Sequence, residues 1–123
     1  MPYIVKTPPV TKQTLELSAG LVKSSISTTT STDISTLVSL ASTIYRSVNY
    51  QIQTTEGTNY YKTTINVIHN GTTAYLSEFG TINEPVGVAT FSADINGDNL
   101  RLLGFPASSN STTFKVIYTA LDA

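Results

Sequence analysis

The sequence predicts an all-β protein, an antiparallel β-sandwich that is jelly-roll-like and carries an extended N-terminal arm. Apolar and polar residues alternate along most of the chain after residue 34, which is the pattern of strands with one buried face. Turn-forming pairs such as Glu56-Gly57 and Asn70-Gly71 recur at intervals of about 8 to 12 residues. No amphipathic helix longer than about 10 residues is evident. Short strands at this spacing are typical of sandwiches and jelly rolls.

Two regions of different composition predict the domain organisation. Residues 1–34 are predicted to form the arm, and residues 35–123 the sandwich. Three of the first ten residues are prolines, which fix φ and remove backbone donors, so the chain should begin extended. Apolar residues at 15–22 could form a short strand or a first helical turn. The hydroxyl-rich run at 24–33 reads as a flexible linker if it is free, or as an extended segment held against a partner if it is ordered.

The strands of the sandwich follow from the alternation and from the turns between them. Asn70-Gly71 is expected to supply the two positive φ angles of a type I′ turn. Asn96-Gly97 is a second strong hairpin signal, and Pro85 and Pro106 mark loops. The predicted strands cover residues 36–41, 45–55, 60–69, 72–81, 88–95, 100–105 and 112–120.

The predicted core consists of the inward-facing apolar residues of these strands. Burial of each large side chain contributes roughly 1.5–3 kcal/mol, so the set suffices for a single domain. The predicted core residues are Val48, Tyr50, Ile52, Ile65, Val67, Phe91, Ala93, Ile95, Leu102, Phe114, Val116 and Tyr118.

Composition restricts the possible partners. The formal charge is −1 and 12% of residues are charged, so a basic surface that neutralises nucleic-acid phosphates is not expected. No apolar run is long enough to span a membrane, and prolines interrupt the N-terminus before a signal-peptide core could form. The chain is therefore expected to be made in the cytoplasm.

Hydroxyl side chains dominate the polar residues. The sequence has 14 Ser and 21 Thr against 15 charged residues. A hydroxyl-rich surface can be buried against neighbouring subunits without leaving unpaired charges. The composition fits a protein that assembles with others, and it fits an ordinary Thr-rich β domain as well.

The sequence does not suggest an enzyme, and no cofactor is expected. His69, the single histidine, precedes the Asn70-Gly71 turn and is expected to be an exposed turn residue. No two carboxylates are forced together by their spacing, as a glycosidase would need. Asp94 is expected to lie across a hairpin from Arg101 and to form a cross-strand pair.

A short acidic segment resembles the start of a calcium loop. Asp94, Asn96 and Asp98 have the D-x-N-x-D spacing, but Asn99 and Phe105 occupy the positions that need glycine and glutamate. A hairpin turn explains the segment without a metal.

Tyrosines are the best candidates for contact with a partner. Tyr60 and Tyr61 are adjacent, so one of them must face away from the core. Tyr60, Tyr61 or Tyr75 could instead stack on a host glycan in a carbohydrate-binding module. The predicted partner-binding residues are Tyr60 and Tyr61 together with Tyr3, Ile4, Val5 and Leu15 of the arm.

Several segments in combination resemble a known type of protein. They are YRSV at 45–48, QIQ at 51–53, VIHNGTT at 67–73, EFGT at 78–81, ADINGDNLRLL at 93–103 and STTFKV at 111–116. Together they are similar to a β-rich module of virion structural proteins of tailed phages, of the cyanophage and marine-phage type.

The resemblance implies a structural role on the phage particle and brings no catalytic residues with it. The first expectation is a capsid decoration or cement subunit, trimeric, whose arm reaches over neighbouring virion proteins. The alternatives are a fibre, neck or baseplate accessory subunit, or a carbohydrate-binding module that contacts host glycans.

Overall fold

The described part of the protein, residues 14–84 and 87–123 of a computed structural model, consists of strands, turns and loops with no helix. The strands are β1 Leu15–Leu17, β2 Gly20–Thr29, β3 Ser35–Ala41, β4 Tyr45–Glu56, β5 Asn59–His69, β6 Ala74–Glu84, β7 Ala89–Asn96, β8 Asn99–Pro106 and β9 Thr112–Asp122.

These strands form two antiparallel sheets. The six-stranded sheet has the order β1-β2-β9-β4-β5-β6, and the three-stranded sheet has the order β3-β8-β7. A single core cluster combines residues of both sheets, such as Leu100 of β8 and Tyr50 of β4. The prediction of an all-β antiparallel sandwich is confirmed.

All seven predicted strands are present, with ends that differ from the predictions by no more than three residues. Two tight turns form at glycines that were predicted to lie in turns. Gly57 and Gly97 have φ of 61° and 65°, and each lies in a two-residue connection between paired strands.

The structure corrects the predicted arm for the residues that it describes. Residues 15–29 form β1 and β2, which belong to the six-stranded sheet, and β2 pairs with β9 along its whole length. Leu21 is buried in the core, and the Ser25 hydroxyl donates to the Leu37 carbonyl at 2.9 Å. The hydroxyl-rich run is ordered because its backbone groups complete the β9 ladder. Tyr3, Ile4 and Val5 lie outside the described residues.

Nine of the twelve predicted core residues are buried, and the other three, Phe91, Ala93 and Ile95, are partly buried against the cluster. Phe91 packs edge-on against Phe114, with ring centroids 6.0 Å apart. Among the described residues the core also contains Leu21, Leu37, Val38, Leu40, Ala89, Leu100 and Ala120.

The turn between β5 and β6 differs from the predicted type I′ turn. The Asn70 N–H donates to the Thr73 carbonyl at 3.1 Å, so Gly71 and Thr72 occupy the corner. Asn70 Oδ1 accepts from the N–H groups of Thr72 and Thr73 at 3.0 and 2.9 Å. The side-chain oxygen of Asn70 thus takes the place of the Asn70 backbone carbonyl as the acceptor in the turn. As a consequence, β6 begins at residue 74 instead of 72.

A bulge interrupts β6 where Thr63 of β5 faces two residues, Gly80 and Thr81. Gly80 has φ of 68°, the left-handed conformation that such bulges require. The buried Thr63 hydroxyl bonds the Thr81 hydroxyl at 2.8 Å. This contact fixes the position of the extra residue.

A candidate interaction surface on the six-stranded sheet

The outer face of the six-stranded sheet, which points away from the three-stranded sheet, is unusually apolar. Strand alternation defines this face. In β9, Phe114, Val116 and Tyr118 are buried, whereas Ile117, which lies between Val116 and Tyr118, is 57% exposed. Thirteen large hydrophobic side chains are exposed among the described residues, and strand register places ten of them on this face. The ten are Leu15, Leu17, Ile26, Tyr60, Ile68, Tyr75, Phe79, Ile82, Ile117 and Leu121.

These ten side chains form two apolar stripes with a polar centre between them. The first stripe lies on β1, β2 and β9, and the second lies on β5 and β6. β4 runs between the stripes, and its outward residues are uncharged and polar: Ser47, Asn49, Gln51 and Gln53.

The polar centre is a ladder of amide side chains flanked by shallow depressions. Asn49 Nδ2 donates to Asn66 Oδ1 of the neighbouring strand at 2.5 Å. One depression extends over this pair between Ile68 and Leu121, and the other extends over Gln51 and its neighbours on β2, β9 and β5. Neither is an enclosed pocket, so the geometry suits an extended contact.

Strand register assigns three charged residues to the outer face. Lys62 and Lys115 lie on either side of Gln53, two residues from the middle of β4. Glu84 is the partner of Tyr60 and belongs to the same face, at its end beyond Lys62. A partner therefore meets apolar surface, amides and two lysines close to the centre of the face.

Of the residues predicted to contact a partner, two are exposed on the outer face and a third is buried. Leu15 and Tyr60 are 58% and 50% exposed and lie on the outer face, in the first and second stripe respectively. Tyr61 is buried, and its hydroxyl donates to a Glu78 carboxylate oxygen at 2.6 Å. Burial, followed by the contact with Glu78, raises the pKa of Tyr61 to about 12. Of the adjacent tyrosines, Tyr60 is the one that faces away from the core.

His69 is buried, contrary to the prediction of an exposed turn histidine. Its Nδ1 accepts from the Gly71 N–H at 2.9 Å, so Nε2 carries the proton and donates to the Tyr45 carbonyl at 2.7 Å. Both ring nitrogens are engaged in joining the β5–β6 turn to the start of β4. This arrangement gives His69 a structural role.

Other carboxylates serve as hydrogen-bond acceptors within the fold. Glu56 accepts from the side chains of Asn59, Ser108 and Asn110, which ties the β4–β5 turn to the loop before β9. The hydrogen bond from Ser108, and then those from Asn59 and Asn110, lower the pKa of Glu56. This contact orders two connections at the same end of the sandwich.

The predicted pair of Asp94 and Arg101 is confirmed. Arg101 donates from Nε and Nη2 to the two Asp94 carboxylate oxygens at 2.9 and 2.7 Å. The segment that resembled a calcium loop forms the β7–β8 hairpin. The described residues contain no group of three His, Cys, Asp or Glu side chains that could hold a metal ion.

Sequence reasoning identified Leu15 and Tyr60 of the ten apolar residues on the outer face as partner contacts, and named Tyr75 as a possible glycan contact. A signal for some of the others was present, because apolar residues are consecutive in parts of two strands, as in Val67-Ile68 and Val116-Ile117-Tyr118. Since neighbouring residues of a strand point to opposite faces, such runs indicate a sheet that is apolar on both faces.

The described part of the chain holds no helix whose length and apolar character would let it span a bilayer.

Comparisons with known proteins give structural neighbours from phages. No family model and no curated protein matches the chain. The tailspike protein of Acinetobacter baumannii phage AM24 aligns over 83% of this chain with 11% identity and a TM-score of 0.47. The tailspike protein of Acinetobacter phage vB_ApiP_P1 also aligns over 83%, with 20% identity and a TM-score of 0.46. This chain spans 26% and 22% of the lengths of those two proteins.

Proposed function

We propose that this chain is a structural subunit of a tailed-phage particle and that it acts by packing its outer face against neighbouring protein. The observation that carries the proposal is the collection of ten exposed large hydrophobic side chains on one sheet face. Single exposed apolar side chains are ordinary, but many on one face are typical of a surface that contacts another protein. A surface of this kind is therefore more stable when another protein covers it.

The size of the outer face supports this reading. Its five long strands contain 10 to 12 residues each. With strands about 4.8 Å apart and a rise of about 3.4 Å per residue, they cover roughly 850 Å². A stable protein interface buries about 800 Å² per partner. The face is large enough to form a complete interface.

Segments between residues 45 and 116 resemble modules of virion proteins. This resemblance supports a location of the chain on the phage particle. A capsid decoration or cement subunit is the first placement, and a fibre, neck or baseplate subunit is the alternative. Both placements set the chain among other virion proteins, with its outer face covered by a neighbouring subunit.

The arrangement of the tyrosines gives less support to a carbohydrate-binding module. Tyr60 is exposed near one end of β5, and Tyr75 pairs with Ile68 near the other end. Eight residues of an extended strand separate these levels by about 27 Å. The two rings therefore cannot form one stacking platform for a short glycan.

A structural role is also supported by the state of His69 and of three of the eight carboxylates. His69 has both ring nitrogens in hydrogen bonds, and the carboxylates of Glu56, Glu78 and Asp94 each accept from side chains of the fold. Such groups are held by structural contacts and are not free to act as a general acid or base.

Two matched variants test the proposal on particles. Phage should be produced with this chain unchanged, with Ile117→Glu on the outer face, or with Ile34→Glu away from it. The two isoleucines are 57% and 58% exposed, so their solvent exposure is matched. Mass spectrometry of purified particles, with gold-labelled antibody to find the site on the capsid or tail, gives the readout.

The unchanged chain and Ile34→Glu should be found on particles, while Ile117→Glu should be folded and absent from them. The proposal is wrong if the unchanged chain is missing from purified particles, or if both variants are incorporated equally.

A further inference from the structure

We propose that the protein covering the outer face is a second copy of this chain, so that two sandwiches pack face to face as a two-fold dimer. The inference rests on the proposed function, because it names the first partner of the same surface. Three properties of the outer face carry it: its area, its polarity pattern and the position of its charges.

The area fits a dimer of the whole face. Two copies in contact would bury roughly 850 Å² each, within the range of about 600–1,000 Å² per partner for stable interfaces. Stacked sheets lie about 10 Å apart and keep their strands within about 30° of each other. The five long strands therefore allow two copies to overlap almost completely.

The polarity pattern is complementary to itself. A two-fold axis in the plane between two such faces, parallel or perpendicular to the strands and centred on β4, brings apolar stripe onto apolar stripe and polar centre onto polar centre. The centre is suited to this contact because the Asn and Gln side chains of β4 both donate and accept hydrogen bonds.

The two lysines select one of the two possible axes. An axis parallel to the strands would place Lys62 of one copy over Lys115 of the other, with like charges in contact. An axis perpendicular to the strands and close to Gln51 moves both lysines from the level of Gln53 to the level of Asn49 on the second copy, where Asn66 and Thr119 are the neighbouring residues. The side-chain oxygens of Asn49 and Asn66 accept from an ammonium group there. The perpendicular axis is therefore the arrangement that the charges favour.

This axis passes near the middle of β4, close to Gln51, whose neighbours across the sheet are Thr64 and Ile117. Gln51 of one copy then faces Gln51 of the other. Tyr60 lies at the far end of the face, so the two Tyr60 side chains are far apart in the dimer. These two positions give opposite expectations for cross-linking.

Solution mass is the first test. The full chain should sediment at twice its 13.2 kDa across a concentration series. Ile117→Glu should sediment as a monomer with an unchanged circular dichroism spectrum, and Ile34→Glu should remain a dimer. A wild-type monomer at all concentrations, a trimer, or an Ile117→Glu variant that remains dimeric would overturn the inference.

Cross-linking is the second test, and it does not depend on a destabilising charge. The sequence contains no cysteine, so one introduced thiol reports one contact. Because stacked sheets lie about 10 Å apart, too far for a direct disulfide, the thiols should be joined with a short bismaleimide cross-linker. Gln51→Cys should then form a covalent dimer and Tyr60→Cys should not. Equal cross-linking of the two variants, or none with Gln51→Cys, contradicts the perpendicular axis.

The two proposals can fail separately. A chain that is monomeric in solution but present on particles contradicts the dimer and leaves the proposed function standing. A dimer that never occurs on particles contradicts the proposed function and leaves the dimer standing.

Discussion

Replacement of Gly20 by alanine should strongly destabilise the protein, because β2 approaches β9 too closely there for a side chain. A Cβ atom at position 20 would lie 1.9 Å from the Ala120 carbonyl oxygen, whereas real Cβ atoms essentially never approach another atom within 3.0 Å. The obstacle is backbone at the first pairs of the β2–β9 ladder, so relief requires the start of β2 to move by about 1 Å. Such a movement would lengthen hydrogen bonds of the β2–β9 pairing near Leu21.

The expected cost follows from this shift. Overpacking a rigid site costs typically about 1–3 kcal/mol, and a clash with backbone lies at the upper end. We therefore expect a loss of about 3 kcal/mol. For a domain of this size, that loss lowers Tm by about 10 °C or more.

Thermal and urea unfolding measured by circular dichroism provide the assay. Gly87→Ala is the matched control, because the nearest atom to a Cβ there is Asn83 Oδ1 at 3.9 Å. The control should change stability by no more than about 0.5 kcal/mol. A Gly20→Ala variant that melts within about 2 °C of the wild type would refute the close pairing of β2 with β9. The predicted free arm would then be the better description of this segment.

Three further predictions concern single side chains. Phe114→Ala should cost about 3–5 kcal/mol in urea unfolding, because the ring is 1% exposed and its removal leaves a cavity. Tyr61→Phe should cost about 1–2 kcal/mol in the same assay, since it removes the hydrogen bond to Glu78; a neutral result would contradict that contact. Asp94→Asn should lower Tm slightly at pH 7. The hydrogen bond from Arg101 holds the pKa of Asp94 below its usual value, so the contribution of the carboxylate is complete above about pH 5. It is lost as the pH falls below about 4, where the Tm values of variant and wild type should converge.

The sandwich could be predicted from the sequence because most strands combine alternation with strong turn residues. In β4, Val48, Tyr50 and Ile52 alternate with polar residues, and the strand ends at Gly57, whose positive φ the turn requires. Local pattern and tertiary environment agree in this strand, so its bounds and inward face were both predicted correctly.

β2 was not predicted because its pattern is inverted. Ser25 and Ser27 occupy the positions that face the core side, while Ile26 points outward and is 68% exposed. A strand with hydroxyls inside and an apolar residue outside has the composition of a linker. Its order comes from pairing with β9, and a ladder between residues 83 to 101 positions apart leaves no local signal.

The burial of His69 could not be predicted for a similar reason. Its position beside Asn70 suggested exposure, but the imidazole turns inward and bonds Gly71 and the Tyr45 carbonyl. The second of these groups is 24 residues away in the sequence and becomes a neighbour only through the β4–β5 pairing. For the outer face, part of the signal was present in the sequence, since some of its apolar residues are consecutive. Without the sheet order, however, the sequence does not show which of them face the core and which face outward.

The Gly80 bulge has a consequence for how such subunits can accumulate. Among the described strands β6 is the last of its sheet, and the backbone groups on its outer side could recruit a strand from another molecule. The extra residue changes the spacing of those groups midway along β6, so an incoming straight strand would pair along only half of it. Open-ended polymerisation through this border is thereby discouraged, and the number of subunits in a complex can remain finite.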